Sequence, residues 1–83
     1  MNDQVLVDEV LKFIKGLAQN TVSRDIAADT EILSGHIVDS LGIIELISFI
    51  QSRYYIKMEQ ADLTIENLDS AQRIARYIKS RQK

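Results

Sequence analysis

The apolar residues of the chain fall into helical stripes separated by one long stretch that has no period. The first stripe is Leu6, Val10, Phe13, Ile14 and Leu17. Its steps of four, three, one and three residues place these side chains on one helical face. Asn2 or Asp3 can cap the start, and Asp8 and Glu9 suit the early turns, where the helix dipole favours negative charge. Asn20 is a suitable stop, so the pattern predicts a helix over Asp3–Gln19. A second helix is predicted over Ser40–Tyr55, capped by Asp39 or Ser40, with Glu45 in its early turns. It holds more apolar residues than one face takes. Leu46, Ile47, Ile50 and Tyr54 can face a core, which leaves Leu41, Ile44 and Ile43 partly on another face near the helix start. On so small a protein that surplus predicts a contact surface. The last stripe is Ala71, Ile74, Ala75 and Ile78, capped by Asp69 or Ser70 and running to about Ser80.

The stretches between are informative too. Thr21–Asp39 carries Ser23, Asp25, Asp29, Thr30, Ser34 and Gly35 and no helical stripe, yet Ile26, Ile32, Leu33, Ile37 and Val38 lie within it. Such a loop is pinned onto a core, and loops of this length are often functional. Ile56–Gln60 reads as a connector. Asp62–Leu68 has room for one or two helical turns, with Leu63 and Leu68 buried. The expected architecture is all-α: a small four-helix bundle of three longer helices, a short third one and a long first loop, in one domain over residues 1–83.

Composition narrows the function more than the fold. The chain has 83 residues, three glycines and no proline, and is 46 % apolar and 27 % charged, as expected of a soluble, helix-rich domain. No cysteine is present, which excludes disulfides, thiolate metal sites and cysteine nucleophiles and fits a cytoplasmic chain. No secretory leader and no membrane-spanning stretch is expected. The net charge of −2 argues against nucleic acid as a partner. The basic tail with Arg73, Arg76, Lys79, Arg81 and Lys83 reads as the favourable end of a helix dipole.

Catalytic options are thin. His36 is the single histidine, and it reads more simply as a hydrogen-bonded loop residue. No nucleophile–base set, metal-ligand spacing or glycine-rich phosphate loop is present, so an enzyme is not expected and no metal site is assigned. What stands out is a local order: long loop, acid, serine, apolar residue, helix. Taken alone, Asp39-Ser40 is a helix cap. In context, the stretch from His36 to Leu46 resembles the acyl carrier protein family, whose modified serine lies in an Asp-Ser-Leu motif. Here the motif is Asp39-Ser40-Leu41, followed by Glu45-Leu46 at the family's spacing and by Tyr54 where the family usually has Phe. Asp29-Thr30-Glu31-Ile32-Leu33 upstream, and Asp62-Leu63-Thr64 and Asp69-Ser70-Ala71 downstream, extend the resemblance over nearly the whole chain.

The resemblance implies a discrete, monomeric carrier that is not itself an enzyme. It implies that a phosphopantetheinyl transferase attaches phosphopantetheine from coenzyme A to Ser40, and that Asp39 helps that transferase bind and place its metal. The arm's thiol then holds acyl or aminoacyl cargo as a thioester. A loading ligase and acyl-transfer enzymes would be further partners, in fatty-acid, polyketide or nonribosomal-peptide biosynthesis. Leu41, Ile44 and Glu45 are the candidate partner-facing residues; Leu41 and Ile44 read as partner- or arm-facing in preference to core, and Glu45 reads equally as a partner contact or a solvated acid. The chain departs from common fatty-acid carriers in having few acids on its second helix. Gly42 stands at an often acidic position, and Gln51 and Arg53 follow Glu45. That points to a specialised carrier, aminoacyl carriers included. The competing expectation is a non-covalent helical interaction module that docks through Leu41, Ile43 and Ile44.

Overall fold

Each apolar stripe becomes the buried face of a helix in the computed structural model, which describes residues 3–17, 26–35 and 37–82. The elements are α1 (Asp3–Leu17), α2 (Ser40–Tyr54), α3 (Ile65–Leu68) and α4 (Ala71–Arg81), with a 3-10 turn at Gln60–Asp62. The described residues form no strand, and the fold is a small all-helical bundle. The expected cap at Asn2, the expected end of the first helix at Gln19 and Asn20, and His36 lie outside the described residues.

Leu6, Val10 and Ile14 of α1, Leu46, Ile50 and Tyr54 of α2, Leu68 of α3 and Ile74, Ala75 and Ile78 of α4 meet in one core. Ile26, Ile32 and Val38 pin the first loop to it, and Ile56 pins the connector after α2. The seam between α1 and α2 is aromatic and polar in turn. Phe13 stacks on Phe49 with ring centroids 4.1 Å apart, and Phe49 meets Tyr54 edge-on at 5.8 Å. The Tyr54 hydroxyl donates to Glu9 (2.7 Å), which also accepts from Arg53 (2.9 Å). Burial, together with this carboxylate, pushes the Tyr54 phenol far above its ordinary pKa.

Two expectations are corrected. The buried arc of α2 runs through Gly42, Leu46, Ile50 and Tyr54. Ile43 packs against the core beside it, whereas Ile47 stays half-exposed at the margin. The stacking of Phe49 on Phe13 turns the arc towards α1 and carries Ile47 off it. Leu63 is not buried; 43 % of it is exposed. The expected turn within Asp62–Leu68 forms as α3, and ahead of it the chain is turned by Asp62. That carboxylate accepts the Glu59 N–H (3.0 Å) and the Tyr77 hydroxyl (2.9 Å), so it turns inward to α4, and Leu63 after it turns out. Burial and the Asp62 contact push the Tyr77 phenol up to about 12. Thr64 then starts α3 afresh, accepting the Asn67 N–H at 3.2 Å. Of the two expected caps of α4, Ser70 is the one that forms, accepting the Arg73 N–H at 3.1 Å.

Tyr55 ends α2 at φ 57, ψ 44, the left-handed region that glycine takes without cost. Its side chain is 92 % exposed, so little packing offsets the strain. Tyr55→Gly is expected to raise the unfolding free energy by about 1 kcal/mol, read as a higher urea midpoint at unchanged m-value.

Candidate functional site

The site is the start of α2 and the loop that delivers it. Asp39 is extended (φ −87, ψ −176) and its Oδ1 accepts the Gly42 N–H at 2.8 Å, which makes it the N-cap. Ser40 is the first helical residue and is exposed. The first turn of any helix has N–H groups with no acceptor inside the helix, and the positive dipole end adds to them. Ser40 and Leu41 carry two of these groups, directly beside the Ser40 hydroxyl. Gly42 is here for space rather than for charge. A Cβ on it would lie 2.8 Å from Val38 Cγ1, so its lack of a side chain lets the loop press onto the first turn.

The loop is a chain of hydrogen bonds that runs back to the core. The Ile37 and Val38 N–H groups both donate to the Ile32 carbonyl (3.0 Å each). Gly35 closes a turn on Glu31 so tightly that a Cβ there would run into the Glu31 carbonyl oxygen. The turn hangs on Asp69, at the junction of α3 and α4. Its carboxylate accepts the N–H groups of Leu33 (2.8 Å) and Ser34 (2.9 Å) and the Ser34 hydroxyl. Its carbonyl accepts the Ile32 N–H at 2.7 Å. Asp69 is 2 % exposed. Burial pushes its carboxyl up, but the bonds from Ser34 and Leu33, with the nearby Arg73 charge, outweigh this and hold it below the ordinary carboxylate value.

Past Ser40 the outward face of α2 is apolar with one acid, then neutral. Leu41 is 66 % and Ile44 63 % exposed, and Glu45, Ser48 and Ser52 are exposed beside them. The sequence-derived candidates Asp39, Ser40, Leu41, Ile44 and Glu45 therefore share one exposed end of one helix. Asp69, Ser34 and the spatial role of Gly42 escape a reading of the sequence, because a buried aspartate before a serine cap looks like a second cap. A cleft of about 500 Å³ opens elsewhere, between α1 and α4, lined by Leu6, Val7, Gln72, Ala75, Arg76 and Lys79 among others. None of the candidate residues lines it. Among the described residues no group of three or more His, Cys, Asp and Glu is placed to hold a metal, and no helix is long and apolar enough to cross a membrane.

No protein-family model matches this chain, and no curated protein does.

The depressed Asp69 pKa makes stability depend on pH in one direction. A carboxylate whose folded pKa lies below its unfolded value stabilises the fold fully above the unfolded value, and the contribution is lost as pH falls through the folded one. The stability advantage of the wild type over Asp69→Asn is therefore expected to be constant near neutrality and to shrink below the ordinary carboxylate range. Urea titrations of both proteins at a series of pH values measure it; an advantage that persists unchanged in acid contradicts it.

Proposed function

We propose that this protein is a carrier whose Ser40 receives a phosphopantetheine arm and then presents acyl or aminoacyl cargo, as a thioester, to biosynthetic enzymes. The observation that carries the proposal is the placing of Ser40: exposed, first in α2 and immediately after its Asp39 cap, within the Asp39-Ser40-Leu41 motif. In the loading step the Ser40 Oγ attacks the phosphorus on the pantetheine side of the coenzyme A pyrophosphate. An Oγ–P bond forms, the bond to the adenosine bisphosphate leaving group breaks, and the serine proton passes to a base of the transferase.

The residues present fit such an arm. The first-turn N–H groups of Ser40 and Leu41, which have no acceptor within the helix, would be available to a phosphodiester on the Ser40 hydroxyl, as helix N-termini are for phosphates. The adjacent Asp39 carboxylate would repel it, but one of its oxygens is turned onto the Gly42 N–H. Once attached, the arm supplies a thiol for cargo. The protein's own part is to hold Ser40 at the helix end and to offer Leu41, Ile44 and Glu45 to the transferase, the loading ligase and the acyl-transfer enzymes. We place this work in the cytoplasm and assign it to a monomer. Asp39 is offered to the transferase, beside the serine it modifies.

The exposure of Leu41 and Ile44 also favours a second reading, a non-covalent interaction module that docks through this patch. One experiment separates the two. Incubation with coenzyme A and a broad-specificity phosphopantetheinyl transferase is expected to add the mass of one arm to the wild type and none to Ser40→Ala, while Ile44→Asp loads more slowly. No gain in the folded wild type, or an equal gain in Ser40→Ala, rejects the carrier. Partner binding that survives Ser40→Ala and is lost in Ile44→Asp then identifies the module.

A further inference from the structure

We infer that Asp69, remote in sequence from the motif, is the positioning residue for Ser40; the inference deepens the carrier reading and rests on it for its kinetic consequence. The connection is continuous. Asp69 takes four bonds from three consecutive loop residues: from the N–H groups of Ile32, Leu33 and Ser34 and from the Ser34 hydroxyl. The Ile32 carbonyl passes the restraint to the N–H groups of Ile37 and Val38. Val38 is buried and presses on the bare face of Gly42, whose N–H holds the Asp39 cap beside Ser40. The other side of the junction is fixed independently: the Gln72 N–H donates to the Ala28 carbonyl at 2.9 Å, and Ser70 caps α4. The start of α2 is thus fastened through the loop to the α3–α4 junction as well as through its own buried arc.

A nucleophile misplaced by about 1 Å can lose about 100-fold in rate. Loosening the loop also lowers the fraction of molecules in which Ser40 is presented, and the apparent affinity of the transferase falls with that fraction. Asp69 contributes no atom to the reaction. Its effect on loading passes entirely through the bonds above, so it grades with how many of them a substitution removes.

The test measures kcat/KM for transfer from coenzyme A with the carrier as varied substrate, at a temperature where circular dichroism finds every variant folded. Asp69→Ala is expected to lose about 10-fold or more, the lower part of the range for a misplaced group. Ser34→Ala, which gives up only the hydroxyl bond, is expected to lose less. Asp69→Asn is expected to recover most of the rate, because its amide oxygen still accepts the two N–H bonds and its NH2 reaches the Ser34 hydroxyl. Ile14→Val, which loosens the core in α1 away from the loop, is expected to load like the wild type. The second readout is amide hydrogen exchange at Gly42, expected to quicken in Asp69→Ala and not in Ile14→Val. Should Asp69→Ala fail to fold, Ser34→Ala and Asp69→Asn carry the comparison. Wild-type loading by a folded Asp69→Ala overturns the inference, and so does a loss in Ile14→Val as large as in Ser34→Ala. If the wild type itself takes up no arm, the carrier reading fails; Gly42 exchange then decides the clasp alone, quickening upholding it and no change rejecting it.

Discussion

A buried carboxylate at the α3–α4 junction solves the main physical problem of this fold. The loop before α2 is rich in polar residues and makes few of the regular backbone bonds that helices supply. Pressing it on a core exposes its N–H and C=O groups to desolvation, which is tolerable only where each finds a partner. Asp69 supplies those partners in one place, accepting four bonds across Ile32, Leu33 and Ser34. An unpaired aspartate at 2 % exposure would be costly; here hydrogen bonds surround the charge and keep it ionised. With the turn held, Ile26, Ile32 and Val38 can bury their side chains, and the loop becomes a layer of the bundle.

The two faces of α2 follow from that layer. Val38 over Gly42 takes up one side of the first turn, and the stack of Phe49 on Phe13 takes up the same side further along. The remaining apolar residues, Leu41 and Ile44, have nowhere inward to go. Their exposure is a consequence of geometry, and a consequence that sits beside the Ser40 hydroxyl. Stability and presentation are therefore set by the same contacts: what buries Val38 also fixes which residues of the first turn face outward.

Much of this is legible in the residues, and the failures have physical causes. Periodicity finds α1, α2 and α4 because Leu6, Val10 and Ile14, then Leu46, Ile50 and Tyr54, then Ile74 and Ile78 repeat at helical spacing over several turns. The caps of α2 and α4 are legible to within one residue, as Asp39 or Ser40 and as Asp69 or Ser70, because capping depends on local residue type. Leu63 misleads because Asp62 before it closes a 3-10 turn on Glu59 and reaches inward to Tyr77, which turns Leu63 out. The inward role of Asp69 is not legible, for the opposite reason. Its partners lie more than thirty residues away in sequence, at Leu33 and Ser34, and no local pattern marks a carboxylate that goes inward. Gly42 reads as a missing acid until the position of Val38 gives it a steric role.

On the carrier reading, the charges around Ser40 bear on how partners find it. The cations nearest the bundle's seams are committed within the protein: Arg53 to Glu9, Lys79 to Asp3, and Arg81 to Asp62 and the Lys57 carbonyl. On the outward face of α2, Glu45 is followed by Ser48 and Ser52, with Leu41 and Ile44 between the acid and Ser40. A face with one acid steers a basic partner weakly, so encounter is slower and more of the discrimination falls on fit at close range. Exposed Leu41 and Ile44 provide that fit, because an apolar contact gains only when the opposing surface is shaped to exclude water from it. A general carrier served by many enzymes is better suited by long-range charge, which many basic surfaces can share. On the carrier reading, the apolar, sparsely charged approach to Ser40 would instead suit few partners, each matched to the first turn of α2.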